Sequence, residues 1–413
     1  MHITNLHGVE ILDSRGNPTV RAFVTLEDGS THSASVPSGA STGSHEAHEL
    51  RDGGSKYAGK GVQKAVSHIN TTIRERLIGS SIEQLREIDG KLLALDGTKN
   101  KSKLGANAIL AVSLACARAA ASSKKQPLWK YLHSYYFDDV DPAFPRPMVN
   151  VVNGGKHAGW NFDIQEFMIC PTSNDPVIAV RMAAEIFHAL GKELSSRNLS
   201  TLVGDEGGYS PALDSNEQVF ETIEKAAASV GYARVTDYTF AVDCAASEFM
   251  DGDQYHFKKT DQTLSAKQLT LYWARLGQSY DIQSFEDPYG EDDWDAWTKF
   301  AAMAEEFKFQ LVGDDLLVTN PARIKTGIEK KAANALLVKV NQIGTLMETV
   351  EAIKLARGAG WNIVISHRSG ETEDPFIADL AYACGAEFIK TGSMSRSDRL
   401  AKYNRLLEIA NGL

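Results

Sequence analysis

Six short apolar runs in this chain each end on a reactive polar residue. They are YTFAVD at Asp243, IQSFE at Glu286, FQLVGD at Asp314, ALLVK at Lys339, NIVISH at His367 and EFIK at Lys390. The successive intervals are 43, 28, 25, 28 and 23 residues, and all but the first are close to the length of one strand–helix unit. In a parallel β/α barrel the strands share one direction, so residues at their C-terminal ends meet at a single mouth. Three carboxylates gathered there predict a hard-oxygen site suited to Mg²⁺. No cluster of His and Cys competes for zinc. Any one of the acids alone reads as well as a helix cap; three in successive units, followed by two strand-end lysines, point to chemistry.

Lys339 lies in LLVKVNQ, among residues expected to be buried, where an ammonium without partners is costly. It is either a structural partner of a nearby acid or a general base. A base near neutrality needs its proton affinity lowered, which a metal ion and Lys390 would both do. Lys390 would stay cationic and offset developing negative charge. Glu206, in VGDEGGY, sits in a glycine-rich turn that either presents it or leaves it solvated. Gln165 and Glu166 in DIQEFMI should point to opposite faces of a strand, so that one of them faces the site. His367-Arg368-Ser369-Gly370 suits an anion: the Arg fork matches phosphate oxygens and Ser adds a hydroxyl. The competing reading has Glu371, Glu373 and Asp374 neutralise Arg368. His157, among glycines in GGKHAGW, reads by itself as a solvated loop residue.

The elements that must position these groups are legible in outline. Residues 2–36 read as β, with Val20, Ala22, Val24 and Leu26 on one face, a start at or after Pro18, and a turn at Asp28-Gly29. The segment PSGASTGSHEA, residues 37–47, is small and polar and reads as a mobile loop. Helical periodicity follows over about 60–78, 82–95, 104–122 and 127–135. Prolines at 142, 145 and 147 then mark a domain boundary near residue 140. The expected organisation is an α+β domain over 1–140 and a catalytic β/α barrel over 141–413. Its first strands, RPMVNVVN and DIQEFMICP, lack the regular spacing, and helices near 177–197 and 216–230 precede the regular units.

Composition narrows the function classes. The 413 residues carry a net charge of −10, with 43% hydrophobic and 23% charged residues. Nucleic-acid binders more often present a basic face, so no nucleic-acid partner is expected and any phosphate site must be local. Four scattered cysteines read as buried thiols, not a disulfide scaffold. The N-terminus has no basic start followed by a long apolar run. The apolar stretch Ala106–Ala121 is too short and Ala-rich for a membrane span, so a cytoplasmic protein is expected. Neither a P-loop, a GxGxxG after a strand nor a nucleophile-elbow serine occurs, which argues against bound nucleotide.

The stretches SGASTG, GDEGGY, SFEDP, VGDDL, LLVKVNQ, SHRSGETED and IKTGSMSRSDR resemble the signatures of the enolase family. The likeness runs from DSRGNPTV at Asp13 to RLAKYN at Asn404. It implies a small N-terminal α+β domain on a modified barrel, and reversible dehydration of 2-phospho-D-glycerate to phosphoenolpyruvate. Sites of that superfamily are known to use a Lys or His base with one or two Mg²⁺ ions. At matching positions the resemblance implies Asp243, Glu286 and Asp314 as ligands of the first Mg²⁺. Ser41 would join the second, substrate-dependent Mg²⁺ as the loop closes. Lys339 would be the base and Glu206 the acid. Gln165, Arg368, Ser369 and Lys390 would bind substrate, with His157, Glu166 and His367 around it. Lys156 and Trp160 depart from the family pattern and put the packing of the His157 loop in question. The resemblance also implies a homodimer or larger homo-oligomer, and it permits secreted or cell-surface forms with binding partners there. Two other readings compete. One is an acid-sugar dehydratase or racemase, disfavoured because no KxK motif occurs in 141–240. The other is a surface adhesin, weakened because the chain ends in Leu413 without a terminal lysine.

Overall fold

The computed structural model describes residues 1–39 and 43–413. The chain opens with an antiparallel sheet of β1 (Ile3–Leu12), β2 (Pro18–Leu26) and β3 (Thr31–Ser35). Val20, Ala22, Val24 and Leu26 are all buried on its inner face, as the alternation predicts. The turn after β2 places Gly29 at φ +83°, a conformation glycine adopts without Cβ strain. Helices Leu85–Asp96, Ala106–Ser123 and Leu128–Tyr136 follow, within a few residues of the expected spans. Ala106–Ser123 is long and apolar enough to cross a membrane by length and composition, but it is the core helix of this region, packed on β2 and β3. Its run of alanines favours helix and lets neighbours approach closely.

The second region is a closed eight-stranded barrel. Its strands are β4 (Arg146–Asn153), β5 (Glu166–Pro171), β6 (Tyr238–Asp243) and, after a three-stranded insert, β10 to β14. The insert comprises β7 (Met250–Asp251), β8 (Gln254–Phe257) and β9 (Gln262–Ser265), and it explains the long first interval of 43 residues. The remaining strands are β10 (Ile282–Glu286), β11 (Gln310–Gly313), β12 (Ala335–Val338), β13 (Asn362–Ser366) and β14 (Phe388–Lys390). Met148, Met168, Cys170, Ala241, Val312, Ala335, Leu337 and Val364 fill the barrel interior, so it is a packed core and not a pore. All four cysteines are buried and free.

One strand runs the wrong way for a simple barrel. β5 is antiparallel to both β4 and β6, while the other neighbouring pairs are parallel. The reversal brings the start of β5 to the mouth: Glu166 lies opposite Asp243 on one side and Asn153 on the other.

The two regions meet at the segment after β13. Arg118 of the core helix grips Asp374 with both guanidinium nitrogens, at 2.7 and 2.6 Å. Ser38 and Gly370 exchange backbone hydrogen bonds at 2.7 and 2.9 Å. The anion-binding stretch of the barrel is thus held in place by the N-terminal region.

Candidate active site

Every strand-end group predicted from the sequence reaches one mouth. An enclosed cavity there is lined by His157, Gln165, Glu166, Glu206, Asp243, Asp314, Lys339, His367, Arg368, Ser369 and Lys390, with Asp287 and Asp315 beside them. Glu286 lies just beneath, fully buried, and joins through Lys390. Gln165 and Glu166 both face the cavity, a question that strand alternation alone left open. Gln165 precedes β5, so strand alternation does not govern it; its amide approaches Asp243 at 3.4 Å. Ser41 lies outside the described residues. A larger hollow opens at the opposite end of the barrel, between Arg146, Gln310, Trp361 and Phe388, away from these acids.

One side of the cavity is built of carboxylates and ammonium groups. Lys390 Nζ donates to Asp243 Oδ2 at 3.0 Å and to both oxygens of Glu286 at 2.8 Å, and it lies 3.2 Å from Glu166. Lys339 Nζ donates to Asp314 Oδ2, and Gln342 donates to the other Asp314 oxygen at 2.8 Å. Burial and then Asp243 push the Glu286 carboxyl well above its usual range; burial and then Glu206 do the same to Glu166. Asp315 is pushed up to about 8 by burial and by Asp314. Burial is the largest influence on Lys339 and opposes its charge, yet Asp314 and Glu286 together hold the ammonium above its ordinary value. The poised, lowered amine expected of a base is therefore absent while Asp314 is its partner.

The other side centres on Glu206. The turn that carries it needs Gly207, at φ +86°, where a Cβ would meet the Ser395 carbonyl at 2.5 Å. Asn150 donates to Glu206 Oε2 at 3.0 Å, His157 Nδ1 lies 3.6 Å from Oε1, and His367 Nε2 lies 3.8 Å from Oε2. Burial works against charge here as well, but His157, His367 and Arg399 together hold the Glu206 carboxylate well below its usual range. His157 is enclosed, not solvated: its side chain is 5% exposed.

Arg368 makes no side-chain pair with Glu371, Glu373 or Asp374 among the described contacts. Asp374 is taken by Arg118, and Glu371 by Lys402 at 2.8 Å. Instead Arg368 holds Glu46 through two nitrogens, at 2.9 and 3.1 Å. A carboxylate thus sits on the fork where a phosphate is expected. Strand-end spacing did not single out Glu46, Asn150, Gln342 or Asp287. Asn150 lies within β4, and the other three lie in loops or a short helix. Asp287 adjoins Glu286 in SFEDP, the nearest thing to a sequence signal. Its carboxylate accepts from the Asp314 and Asp315 N–H groups at 2.9 and 2.7 Å and so aims Asp314.

Comparison with known proteins agrees with this arrangement. Residues 141–413 match the family model described as "Enolase, C-terminal TIM barrel domain", and residues 3–132 match "Enolase, N-terminal domain". The chain belongs to the enolase family. Two curated relatives, each named "Enolase", come from Legionella pneumophila strains Lens and Philadelphia 1. Each is 53% identical over 411 residues, spanning 99% of this chain and 96% of the relative. As a family member the protein is a phosphopyruvate hydratase, a carbon–oxygen lyase of glycolysis.

The site fits a divalent cation by two observations. Asp243, Glu286 and Asp314 offer hard oxygens, the donor type such a cation takes. Glu166, Glu286, Asp287 and Asp315 are also held above their usual range, by burial first and by neighbouring carboxylates second, a cost that a cation would offset. The oxygens of Asp287, Asp314 and Asp315 already lie within 4.8 Å of one another, but Asp287 is committed to backbone N–H groups.

Proposed function

We propose that the chain interconverts 2-phospho-D-glycerate and phosphoenolpyruvate plus water, with Lys339 and Glu206 as base and acid. The observation that carries this reading is that the Lys339 amine and the buried Glu206 carboxylate, on separate elements, line one cavity together with the Arg368 fork. Asp243, Glu286 and Asp314 would hold a first Mg²⁺; Ser41 would help hold a second, bound with substrate. Bound Mg²⁺ would supply positive charge against the substrate carboxylate and the charge that develops beside it.

The chain's own groups divide the rest of the work. A proton next to a carboxylate is weakly acidic, because its removal adds charge to an anion. Lys339 would take that C2 proton as the neutral amine, so it must first lose its own proton and its pairing with Asp314. Lys390 stays charged and faces the developing negative charge. Hydroxide leaves poorly, so Glu206 delivers a proton to the C3 oxygen. Glu206 is ionised in the resting site and must gain that proton before it acts as the acid. Arg368 and Ser369 bind phosphate, displacing Glu46. Gln165, Glu166, His157 and His367 surround the substrate. Arg368 and Ser369 favour a phosphorylated substrate over a plain sugar acid.

In the same reading the domains divide at residue 140, the loop over 37–47 closes on substrate, and the protein works in the cytoplasm as a homodimer. The test is Mg²⁺-dependent formation of phosphoenolpyruvate, followed by its ultraviolet absorbance. Turnover of an unphosphorylated sugar acid with none of 2-phosphoglycerate would replace this reading.

A further inference from the structure

Arg399 belongs to the helix Ser397–Ala410, outside the barrel strands, and its side chain is fully buried. Its Nη1 meets His367 Nδ1 and donates to the Arg368 carbonyl at 2.6 Å. Its Nη2 donates to the carbonyls of Ser369, at 2.6 Å, and Asp205, at 3.1 Å. Its Nε pairs with Asp398 at 2.7 Å. One guanidinium therefore ties the turn carrying Glu206 to the His367-Arg368-Ser369 stretch.

A guanidinium has five N–H donors and no acceptor. The His367 Nδ1 facing it must therefore be the acceptor and carry no proton. The imidazole proton is left on Nε2, the nitrogen turned toward Glu206. We propose that Arg399 is a positioning residue that fixes His367 as the neutral imidazole protonated at Nε2, presenting one N–H donor to Glu206. The tautomer follows from geometry alone; its catalytic consequence rests on the reading of Glu206 as the acid.

The charged groups around His367 come from four elements: Glu206 from its turn, Arg399 from the helix, Lys390 from β14 and Lys339 after β12. Burial first, with Arg399 and both lysines adding to it, outweighs Glu206 and opposes a second proton on the ring. A neutral donor polarises Glu206 without taking its place as the acid. A doubly protonated ring would hold Glu206 as a carboxylate more firmly still and make its protonation harder.

The test uses the full-length protein with ¹⁵N-labelled histidine and ring nitrogen spectra, His367→Gln assigning the resonance. Wild type should show an unprotonated Nδ1 and a protonated Nε2 that do not titrate between about pH 6 and 8. Arg399→Met should move the His367 titration upward, toward but not to its ordinary value, because burial and both lysines still oppose a second proton. It should also lower kcat about 10- to 100-fold, the range seen when a partner orienting a functional His is lost, and add an inflection to the kcat–pH profile. Arg399→Lys, which keeps a donor, should keep the wild-type tautomer and recover much of kcat. A merely structural role would lower the melting temperature of both variants with no new inflection. A wild-type His367 protonated at Nδ1 overturns the proposal even if Arg399→Met fails to fold, and so does a folded Arg399→Met with the wild-type profile. Wild-type turnover of 2-phosphoglycerate is measured first. Its absence would overturn the functional reading and leave the tautomer result standing.

Discussion

The two sides of the cavity hold the same residue type in opposite states. Glu286 and Glu166 are surrounded by other carboxylates, and their proton affinity is held high. Glu206 is surrounded by Asn150, His157 and His367, and its proton affinity is held low. Lys390 reaches both groups, so one cation does not decide the outcome. What differs is the balance of carboxylates against the imidazole, guanidinium and amide groups that face each acid. The carboxylate-rich side lacks positive charge, and the histidine side lacks a proton. A site that must bind a cation and protonate a leaving group needs both deficits, kept apart.

The largest expected effect tests whether the sides are separable. Lys339→Ala should abolish both dehydration and exchange of the C2 proton with solvent, by about 10²- to 10⁴-fold. Glu206→Gln should lose dehydration to a similar degree while C2 exchange survives. Equal loss of both rates in Glu206→Gln would show that the two sides act as one.

Next in size is the cation. Chelation should remove turnover, and added Mg²⁺ should restore it. Asp314→Asn should raise the Mg²⁺ concentration for half-maximal activity by at least about tenfold, since each carboxylate ligand carries much of the charge. An unchanged Mg²⁺ requirement would move the metal away from this side.

A smaller effect lies outside the cavity and serves as its control. Asp89, wholly buried, is raised to about 7, mainly by burial, against bonds from Ser113 and Met347. An acid whose folded value lies above its unfolded one binds protons more tightly when folded. Stability is therefore lost as pH rises from about 4 to about 7. Asp89→Asn should flatten that slope, by on the order of a few kcal/mol at the upper end, read from urea midpoints, with kcat unchanged. A variant with the wild-type slope would discount burial as the cause.

The smallest concerns the loop bearing His157. Lys156 pairs with Glu248 at 3.0 Å, and Lys258 sits 3.4 Å from the centre of the Trp160 ring. Both residues that depart from the family pattern thus tie this loop to the insert and its flank. Lys258→Met should cost about 0.5–1 kcal/mol. Trp160→Gly should be nearly neutral, because it loses that contact but relieves a residue at φ +63°, a strain of order 1–3 kcal/mol. Hydrogen exchange at 154–160 would rise in Lys258→Met if the tie matters, and unchanged exchange would dismiss it.

The order of the chemistry was readable along the chain, because parallel strands force period and direction onto their end residues. Asp243, Glu286, Asp314, Lys339, His367 and Lys390 followed from that rule alone, while the buried face of β2 followed from the alternation of side chains along a strand. The rule could not reach Asn150 within β4, Arg399 on a helix, or Glu46 in a loop, since their distance from the site along the chain says nothing of their distance in space. Nor could it foresee that a reversed β5 brings both Gln165 and Glu166 to the mouth. Proton states lay further still from the residue string. Whether Lys339 is charged or Glu206 ionised depends on partners a few ångströms away in a cavity of buried polar groups, and only the folded chain sets those distances.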